Sequence, residues 1–202
     1  MENNITINAK FDKYIELFLE ENSKHNLISK NDEKFLFEKH IYDSLGIKLF
    51  FEKYKIKEAN ILDIGCGGGF PCLPLSIEYP ELKITGIDSI RKKINSVTTI
   101  RNGLELKNLE LICDRVENIK NKQFDIVVSR AVANLAKISE YALPLVKKDG
   151  YFIAYKSKKT QEEIEEAKTV LKKYNAKIID IIQYNLPLEE VYERNLICIK
   201  KS

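Results

Sequence analysis

Residues 61–70 read Ile-Leu-Asp-Ile-Gly-Cys-Gly-Gly-Gly-Phe, and the rest of the chain is organised around this stretch. Ile61, Leu62 and Ile64 predict a short buried strand, which Asp63 interrupts. The chain then turns through a loop that holds four of the protein's 8 glycines. Glycine tolerates positive φ and lets a ligand approach the main chain closely. A strand, a glycine turn and a following helix predict a nucleotide-type site at the carboxyl edge of a parallel sheet.

Strand-like and helical segments alternate after residue 59. Five apolar stretches predict strands, at 60–64, 83–87, 109–113, 124–128 and 151–155. Helical periodicity follows four of them, at 72–79, 89–103, 134–145 and 160–174. Such alternation predicts a mainly parallel sheet with helices on both faces. Two further strand-like runs, 177–184 and 194–200, have no helix between them and indicate an antiparallel end. We therefore expect an α/β, Rossmann-like fold with seven strands.

The first fifty residues differ from this pattern because they are helical throughout. Apolar residues recur at helical spacing over 7–22, and further helices are expected near 32–42 and 43–54. The sequence thus predicts two units, a small N-terminal helical cap at 1–55 and a Rossmann-like domain at 56–202.

Composition excludes some classes of protein. The chain has 202 residues, 44% of them hydrophobic, and a formal net charge of +3, which permits a nucleic-acid partner without requiring one. No apolar run approaches the ~20 residues of a membrane span, and the N-terminus is polar, so a cytoplasmic protein is expected. The four cysteines form no C-x-x-C pair, so no metal site is expected. They are Cys66, Cys72, Cys113 and Cys198.

The spacing of the loop separates two possible ligands. A nicotinamide dinucleotide favours G-x-G-x-x-G, but Phe70 stands where its last glycine would fall. Glycines at 65, 67 and 69 after an Asp-bearing strand favour S-adenosylmethionine, which needs close backbone approach and no phosphate site. Asp88, about twenty residues on, ends the next strand and can hold a ribose. Its simpler interpretation is an N-cap for the helix at 89–103.

The loop after the fourth strand should face the reacting methyl group. It begins Ser129-Arg130-Ala131, and it carries neither an Asp/Asn-Pro-Pro-aromatic run nor a nucleophilic cysteine. Those absences are consistent with an acceptor such as guanine N7, whose lone pair is already available. Arg130 follows an apolar strand, where its charge is costly to bury unless it is paired. Arg130 is therefore the candidate for binding RNA phosphate or orienting guanine through O6.

Motifs along nearly the whole chain resemble those of the bacterial 16S rRNA guanine-N7 methyltransferases, the rRNA small subunit methyltransferase G or glucose-inhibited division protein B family. The cap motif and Ser-Arg-Ala select this family among proteins with glycine loops. The matching stretches are 26–27, 40–45, 62–71, 88–93, 115–117, 129–133 and 142–145.

The resemblance implies a class I methyltransferase that transfers the methyl group of S-adenosylmethionine to guanine N7 in the 530 loop of small-subunit rRNA, without a covalent enzyme intermediate. It also implies that Arg130 is catalytic and lies beside both cofactor and substrate. Asp88 would hold the ribose and Phe70 would form a pocket wall. The implied cofactor-binding residues are Gly65, Gly67, Gly69, Phe70, Asp88, Val116, Glu117 and Arg130.

Several alternatives stay open at this point. A small-molecule methyltransferase would show a closed apolar acceptor pocket rather than an open basic mouth. A non-catalytic module that binds S-adenosylmethionine or NAD is the other class. His40 and Asp43 either shape the site or merely tie the cap to the sheet. The substrate is naked 16S rRNA or an assembling subunit, and a monomer is the default expectation. Basic residues that could line an RNA-facing rim or a solvated surface are Arg91, Lys92, Lys93, Lys147, Lys148, Lys156, Lys158, Lys159, Lys200 and Lys201.

Overall fold

The computed structural model describes residues 9–130, 132–157 and 160–202. Ala131 of the Ser-Arg-Ala motif, Lys158 and Lys159 of the basic clusters, and residues 1–8 of the predicted cap lie outside the described residues.

Seven strands form one sheet within the described residues. Their order is β3-β2-β1-β4-β5-β7-β6, with β1 to β5 parallel and β7 antiparallel to both of its neighbours. The predicted α/β fold with an antiparallel end is therefore confirmed. The strand order reverses between β1 and β4, which is where a crevice opens in such sheets. The strands are β1 (Asn60–Ile64), β2 (Lys83–Asp88), β3 (Leu109–Cys113), β4 (Phe124–Arg130), β5 (Val146–Lys156), β6 (Ala176–Leu186) and β7 (Tyr192–Lys201).

The cap helices are more broken than the sequence predicts. Instead of one helix near 32–42, a short α-helix is followed by a π-helix, Leu36–Tyr42. The first of these begins early because the Ser29 hydroxyl accepts a hydrogen bond from the Asp32 N–H at 3.2 Å. The predicted helix at 43–54 is divided around Gly46, where Tyr184 lies against the backbone. The α-helices of the cap are α1 (Ala9–His25), α2 (Lys30–Glu33), α3 (Asp43–Leu45) and α4 (Lys48–Tyr54).

Two hydrophobic clusters lie on the two faces of the sheet. One contains cap residues such as Phe11, Phe18 and Ile41 together with sheet residues such as Ile61 and Ile126. The other lies under the helices Leu135–Ala142 and Thr160–Lys173. Because the cap shares its core with the sheet, it is packed as part of the same body; the division of the chain at residue 55 stays a prediction. The remaining helices are α5 (Cys72–Glu78), α6 (Arg91–Gly103), α7 (Leu135–Ala142) and α8 (Thr160–Lys173), with 3-10 turns at Val116–Asn118 and Leu143–Leu145.

Among the described residues, no helix combines the length and the apolar character that crossing a bilayer requires.

Candidate functional site

The glycine loop turns sharply at the carboxyl end of β1. Gly65, Gly67 and Gly69 have φ values of +69°, +54° and +93°, which non-glycine residues rarely adopt. The N–H groups of Gly65 and Cys66 both donate to the Ile87 carbonyl, at 2.8 and 3.0 Å. The loop is thus fixed by its own backbone against the end of β2.

Asp88 joins this loop to the next helix. Its Oδ2 accepts the Gly67 N–H at 2.9 Å, and its Oδ1 accepts the Ile90 N–H at 2.8 Å. The simpler interpretation of Asp88 as the N-cap of this helix is wrong, because α6 begins at Arg91 and its cap position is Ile90, without a side-chain cap hydrogen bond. Each carboxylate oxygen has a second lone pair, so both can still accept a hydroxyl hydrogen. The assignment of Asp88 to a ribose stays a prediction.

Val116 and Glu117 lie one strand further along the same edge. They form a 3-10 turn just after β3, whose last residue, Cys113, pairs with Asp88. Val116 is half-buried and Glu117 is exposed. The place agrees with the predicted adenine side of the site, while the contact itself stays a prediction.

The loop presents one glycine to open space and packs the others against protein. A Cβ atom at Gly67 would meet nothing nearer than 3.8 Å, whereas one at Gly69 would lie 2.4 Å from Leu73 Cδ1. At Gly68 the nearest atom is Leu27 Cβ of the cap, at 3.1 Å. The backbone at Gly67 can therefore be approached closely, which fits a ligand held mainly through main-chain atoms.

Asp63, the acidic residue of the Asp-bearing strand before the glycine loop, lies fully buried beneath the loop. Its Oδ2 accepts the Cys72 N–H at 3.0 Å, while its Oδ1 has no hydrogen-bond partner among the described residues. Burial raises the pKa of Asp63 to about 7. The signal that could have found it is an acidic residue inside an apolar strand, which is costly unless it has a purpose.

Phe70 connects the loop to the cap. Its ring lies 5.2 Å from Phe18 and 5.0 Å from His40, measured between centroids, and only 5% of the residue is exposed. The Arg130 guanidinium carbon lies 5.0 Å from the centre of the same ring. The Phe70 ring is thus enclosed mainly by cap side chains, and the Arg130 guanidinium packs against it.

Arg130, the last residue of β4, is paired as a buried arginine must be. Its Nη1 donates to the Lys39 carbonyl at 3.1 Å and to Asp43 Oδ2 at 3.0 Å, and its Nη2 lies 3.0 Å from His40 Nδ1. All three partners belong to the π-helix or to the residue just after it. The π-helix therefore brings three contacts from residues 39–43 of the cap onto one guanidinium, and such helices are frequent at functional sites.

His40 acts as an acceptor in this arrangement. Burial, together with the charge of Arg130, lowers the pKa of His40 to about 4. A guanidinium only donates, so Nδ1 carries the lone pair and Nε2 carries the hydrogen. That Nε2 is buried without a hydrogen-bond partner among the described residues. His40 is therefore neutral where it binds Arg130. The contacts of Lys39, His40 and Asp43 with Arg130 are here called the clamp.

Asp43 is the centre of the clamp, with 3% of its side chain exposed. Besides Arg130 it binds the Tyr184 hydroxyl, 2.7 Å from its Oδ1, and Arg194, whose Nε lies 3.3 Å from the same oxygen. The sequence left the role of Asp43 open and gave no sign of Tyr184 or Arg194. Both come from the antiparallel end of the sheet, which only the tertiary fold brings to the cap.

An open cleft of about 590 Å³, here called the Arg130 cleft, lies between the cap and the ends of β4, β5 and β7. Within the described part of the chain, neither the glycine loop nor Asp88 lines it. The lining has both charge signs, with Tyr155 and Tyr192 among its aromatic members. Its charged residues are Asp32, Lys39, Asp43, Arg130, Lys156, Glu163 and Arg194.

Lys156 is the member of the basic clusters that reaches this cleft among the described residues. It ends β5 as Arg130 ends β4, and its Nζ lies 2.6 Å from both Glu163 Oε2 and the Ala133 carbonyl. Lys147, at the start of β5, instead pairs with Asp125 at 2.7 Å on the opposite edge of the sheet. Within the described residues, the basic rim of the Arg130 cleft thus contains fewer members of the predicted clusters than the sequence suggests.

The strand order, with an antiparallel β7 and a glycine loop at the switch point, defines a class I S-adenosylmethionine-dependent methyltransferase. A family model described as rRNA small subunit methyltransferase G matches residues 7–192. The chain therefore belongs to the rRNA small subunit methyltransferase G family.

Proteins with that name are similar over most of their length. The chain is 43% identical to ribosomal RNA small subunit methyltransferase G of Lachnoclostridium phytofermentans over 198 residues, which cover 95% of this chain and 80% of that protein. It is 41% identical to the protein of the same name from Staphylococcus saprophyticus over 196 residues, covering 95% and 81%.

Solved structures support the fold. Magnesium protoporphyrin IX methyltransferase from Synechocystis, with bound S-adenosylmethionine, superimposes with a TM-score of 0.68 at 13% identity, over 98% of this chain and 100% of that one. Ribosomal protein L11 methylase from Lactobacillus delbrueckii gives 0.57 at 14% identity, over 77% and 76%. Both superpositions confirm the fold class.

Proposed function

We propose that this protein transfers the methyl group of S-adenosylmethionine to N7 of a guanine in small-subunit rRNA. The observation that carries the proposal is the family match over residues 7–192. The family implies the guanine and its N7 atom. The geometry of the two neighbouring sites supports a methyl transfer between a nucleoside-type cofactor and a large polar acceptor.

S-adenosylmethionine supplies a methyl group on a positively charged sulfur, ready for direct displacement. Gly65, Gly67 and Gly69 present the backbone against which its methionine part would lie. Asp88 would accept the ribose hydroxyls. Val116 and Glu117 would flank the adenine, since their turn follows the neighbouring strand on the same edge. The residues present fit this cofactor because the loop is open at Gly67 and carries a carboxylate beside it.

The Arg130 cleft supports RNA rather than a small apolar acceptor. It is open, and charged groups from the cap, β4, β5 and β7 line it. A closed apolar pocket would favour a small-molecule enzyme, whereas this cleft is open and carries charged side chains of both signs, paired with one another. Arginine and lysine side chains in such a cleft can bind phosphate oxygens or guanine O6.

The chemistry requires alignment more than proton transfer. The N7 lone pair of guanine is available at neutral pH, so no base is needed, and an oriented acceptor supplies much of the rate enhancement. Arg130 uses three of its five N–H groups in the contacts described above. The other two can donate to guanine O6 or a phosphate oxygen. Arg130 cannot donate to N7 during the reaction, because that lone pair must face the methyl group.

The test is methylation of small-subunit RNA from cells that lack the enzyme, followed by mass mapping of the modified nucleotide. We expect one methyl group on one guanine, at N7. Naked 16S rRNA and assembled small subunits, assayed side by side, identify the substrate form. Incorporation only into free small molecules would overturn the proposal.

Calorimetry separates the non-catalytic alternative. We expect binding of S-adenosylmethionine and none of NAD; the reverse result would refute the cofactor assignment. We also propose a monomer located in the cytoplasm. Light scattering of the purified protein and fractionation of cells check these two points.

A further inference from the structure

The start of β7 forms one wall of the Arg130 cleft. Because β7 runs antiparallel to β5, its first residues lie at the edge where β4 and β5 end. Tyr192, the first residue of β7, lines the cleft and keeps 42% of its surface exposed. A large, partly exposed aromatic side chain therefore lines the same cleft as Arg130.

The Tyr192 ring is supported from one side. The guanidinium carbon of Arg194 lies 4.7 Å from the ring centre. Arg194 is itself fixed by Asp43, which also binds Arg130. One buried carboxylate thus holds both arginines, and the second of them braces the tyrosine. Arg194 therefore lies over one face of the ring, while the residue keeps 42% of its surface exposed.

We propose that Tyr192 is a stacking residue for an unpaired base of the RNA substrate. This inference rests on the proposed function. A base methylated at N7 must leave its neighbours to reach an active site, and extruded bases commonly stack on aromatic side chains. Every base has a π-face, so one ring in a cleft that also offers arginine and lysine can hold a base without reading its edge. Tyr192 provides such a ring, with Arg194 over one face and Arg130 in the same cleft.

Exposure alone would not distinguish Tyr192 from its neighbour. Val191 is 76% exposed, yet it is not among the cleft-lining residues of the described chain. The two positions are adjacent in sequence and differ in whether they face the acceptor. Val191 is therefore the matched control.

The chain contains no tryptophan, which makes a direct optical test possible. Tyr192→Trp places the chain's single tryptophan at the proposed stacking position, and Val191→Trp places it just outside that position. On titration with an oligoribonucleotide of the target loop, we expect strong quenching in Tyr192→Trp and little in Val191→Trp. Equal quenching in both, or none in Tyr192→Trp while the RNA still binds, would overturn the inference.

Kinetics provide the second measurement. Tyr192→Phe keeps the ring and should methylate RNA like the wild type, while Tyr192→Leu should raise KM for RNA on the order of tenfold. The kcat value and the affinity for S-adenosylmethionine should change little in both variants. An unchanged KM in Tyr192→Leu contradicts the stacking role. Failure of the wild-type protein to methylate any RNA would instead contradict the proposed function, so the two failures are distinguishable.

Discussion

The glycine loop and the Arg130 cleft are neighbours at one edge of the sheet, but they are assembled differently. The loop is held mainly by hydrogen bonds to the end of β2, such as those from the Gly65 N–H to the Ile87 carbonyl and from the Gly67 N–H to Asp88, 21 residues away. The clamp beside the cleft is built from side chains: Asp43 binds Arg130 and Tyr184, which are 87 and 141 residues away. Cofactor binding therefore depends on local conformation, whereas the acceptor site depends on closure of the whole fold.

The largest expected effect is loss of activity in Arg130→Ala. Methyl transfer should fall by at least about 100-fold, the scale seen when one oriented donor is removed from an active site. Stability should fall by only about 1–3 kcal/mol, because Asp43 keeps Tyr184 and Arg194 as partners. Single-turnover methylation and urea unfolding measure the two effects.

Arg130→Lys is the matched control, because it keeps the charge and loses the planar fork. We expect its activity to stay well below that of the wild type. Full activity in either variant would remove Arg130 from the acceptor site and leave it as a tie between cap and sheet.

Substitutions at two glycines of the loop should give the next largest effects. They distinguish a loss of stability from a loss of cofactor binding. Gly69→Ala should lower the free energy of unfolding by roughly 2–4 kcal/mol, because its φ is positive and its Cβ would meet Leu73. Gly67→Ala should cost only roughly 1–2 kcal/mol, the left-handed penalty alone. It should nevertheless weaken S-adenosylmethionine binding more than its stability change explains.

Urea titration and calorimetry on both variants measure this difference. Unchanged cofactor affinity in Gly67→Ala would mean that the ligand approaches the loop from elsewhere.

Asp63→Asn should change how the free energy of unfolding depends on pH. Burial raises the folded-state pKa of Asp63 to about 7, above the ordinary value of 3.8. The folded protein thus binds the proton more tightly than the unfolded chain, and stability from this group is full below pH 4 and is lost as the pH rises towards 7. The wild type should lose stability relative to Asp63→Asn over this window, with a slope of at most about 1.4 kcal/mol per pH unit.

Asp125→Asn is the control with the opposite sign. The pKa of Asp125 is lowered overall: its burial opposes this, but hydrogen bonds from Lys147 and the Asn60 backbone outweigh it. Stability from Asp125 is present above its unfolded pKa and is lost as the pH falls. Thermal unfolding between about pH 2 and pH 8 compares the variants, since the contribution of Asp125 is lost only below its unfolded pKa of 3.8. Parallel curves for the wild type and Asp63→Asn would show that the Asp63 pKa is not raised.

The contrast between the two regions also explains what the sequence could predict. Strands, the glycine loop and Asp88 follow from local patterns, so their places in the fold were predicted correctly. The partners of Arg130 could not be predicted in this way. Periodicity does not indicate a π-helix, and the contacts of Arg194 and Tyr184 depend on strand pairing far along the chain. Lys156 carried a usable signal, because it follows its strand as Arg130 does.

The reversed direction of β7 has a consequence for how such enzymes can diverge. It carries the turn between β6 and β7 to the acceptor edge, while the cofactor loop lies three strands away at β1. Residues 187–191 of that turn do not line the Arg130 cleft among the described residues, but Tyr192 directly after them does, so a change in the turn would act on the cleft through the position of Tyr192. Such a change would leave the glycine loop at β1 untouched, so the acceptor edge can vary while the cofactor edge stays constant.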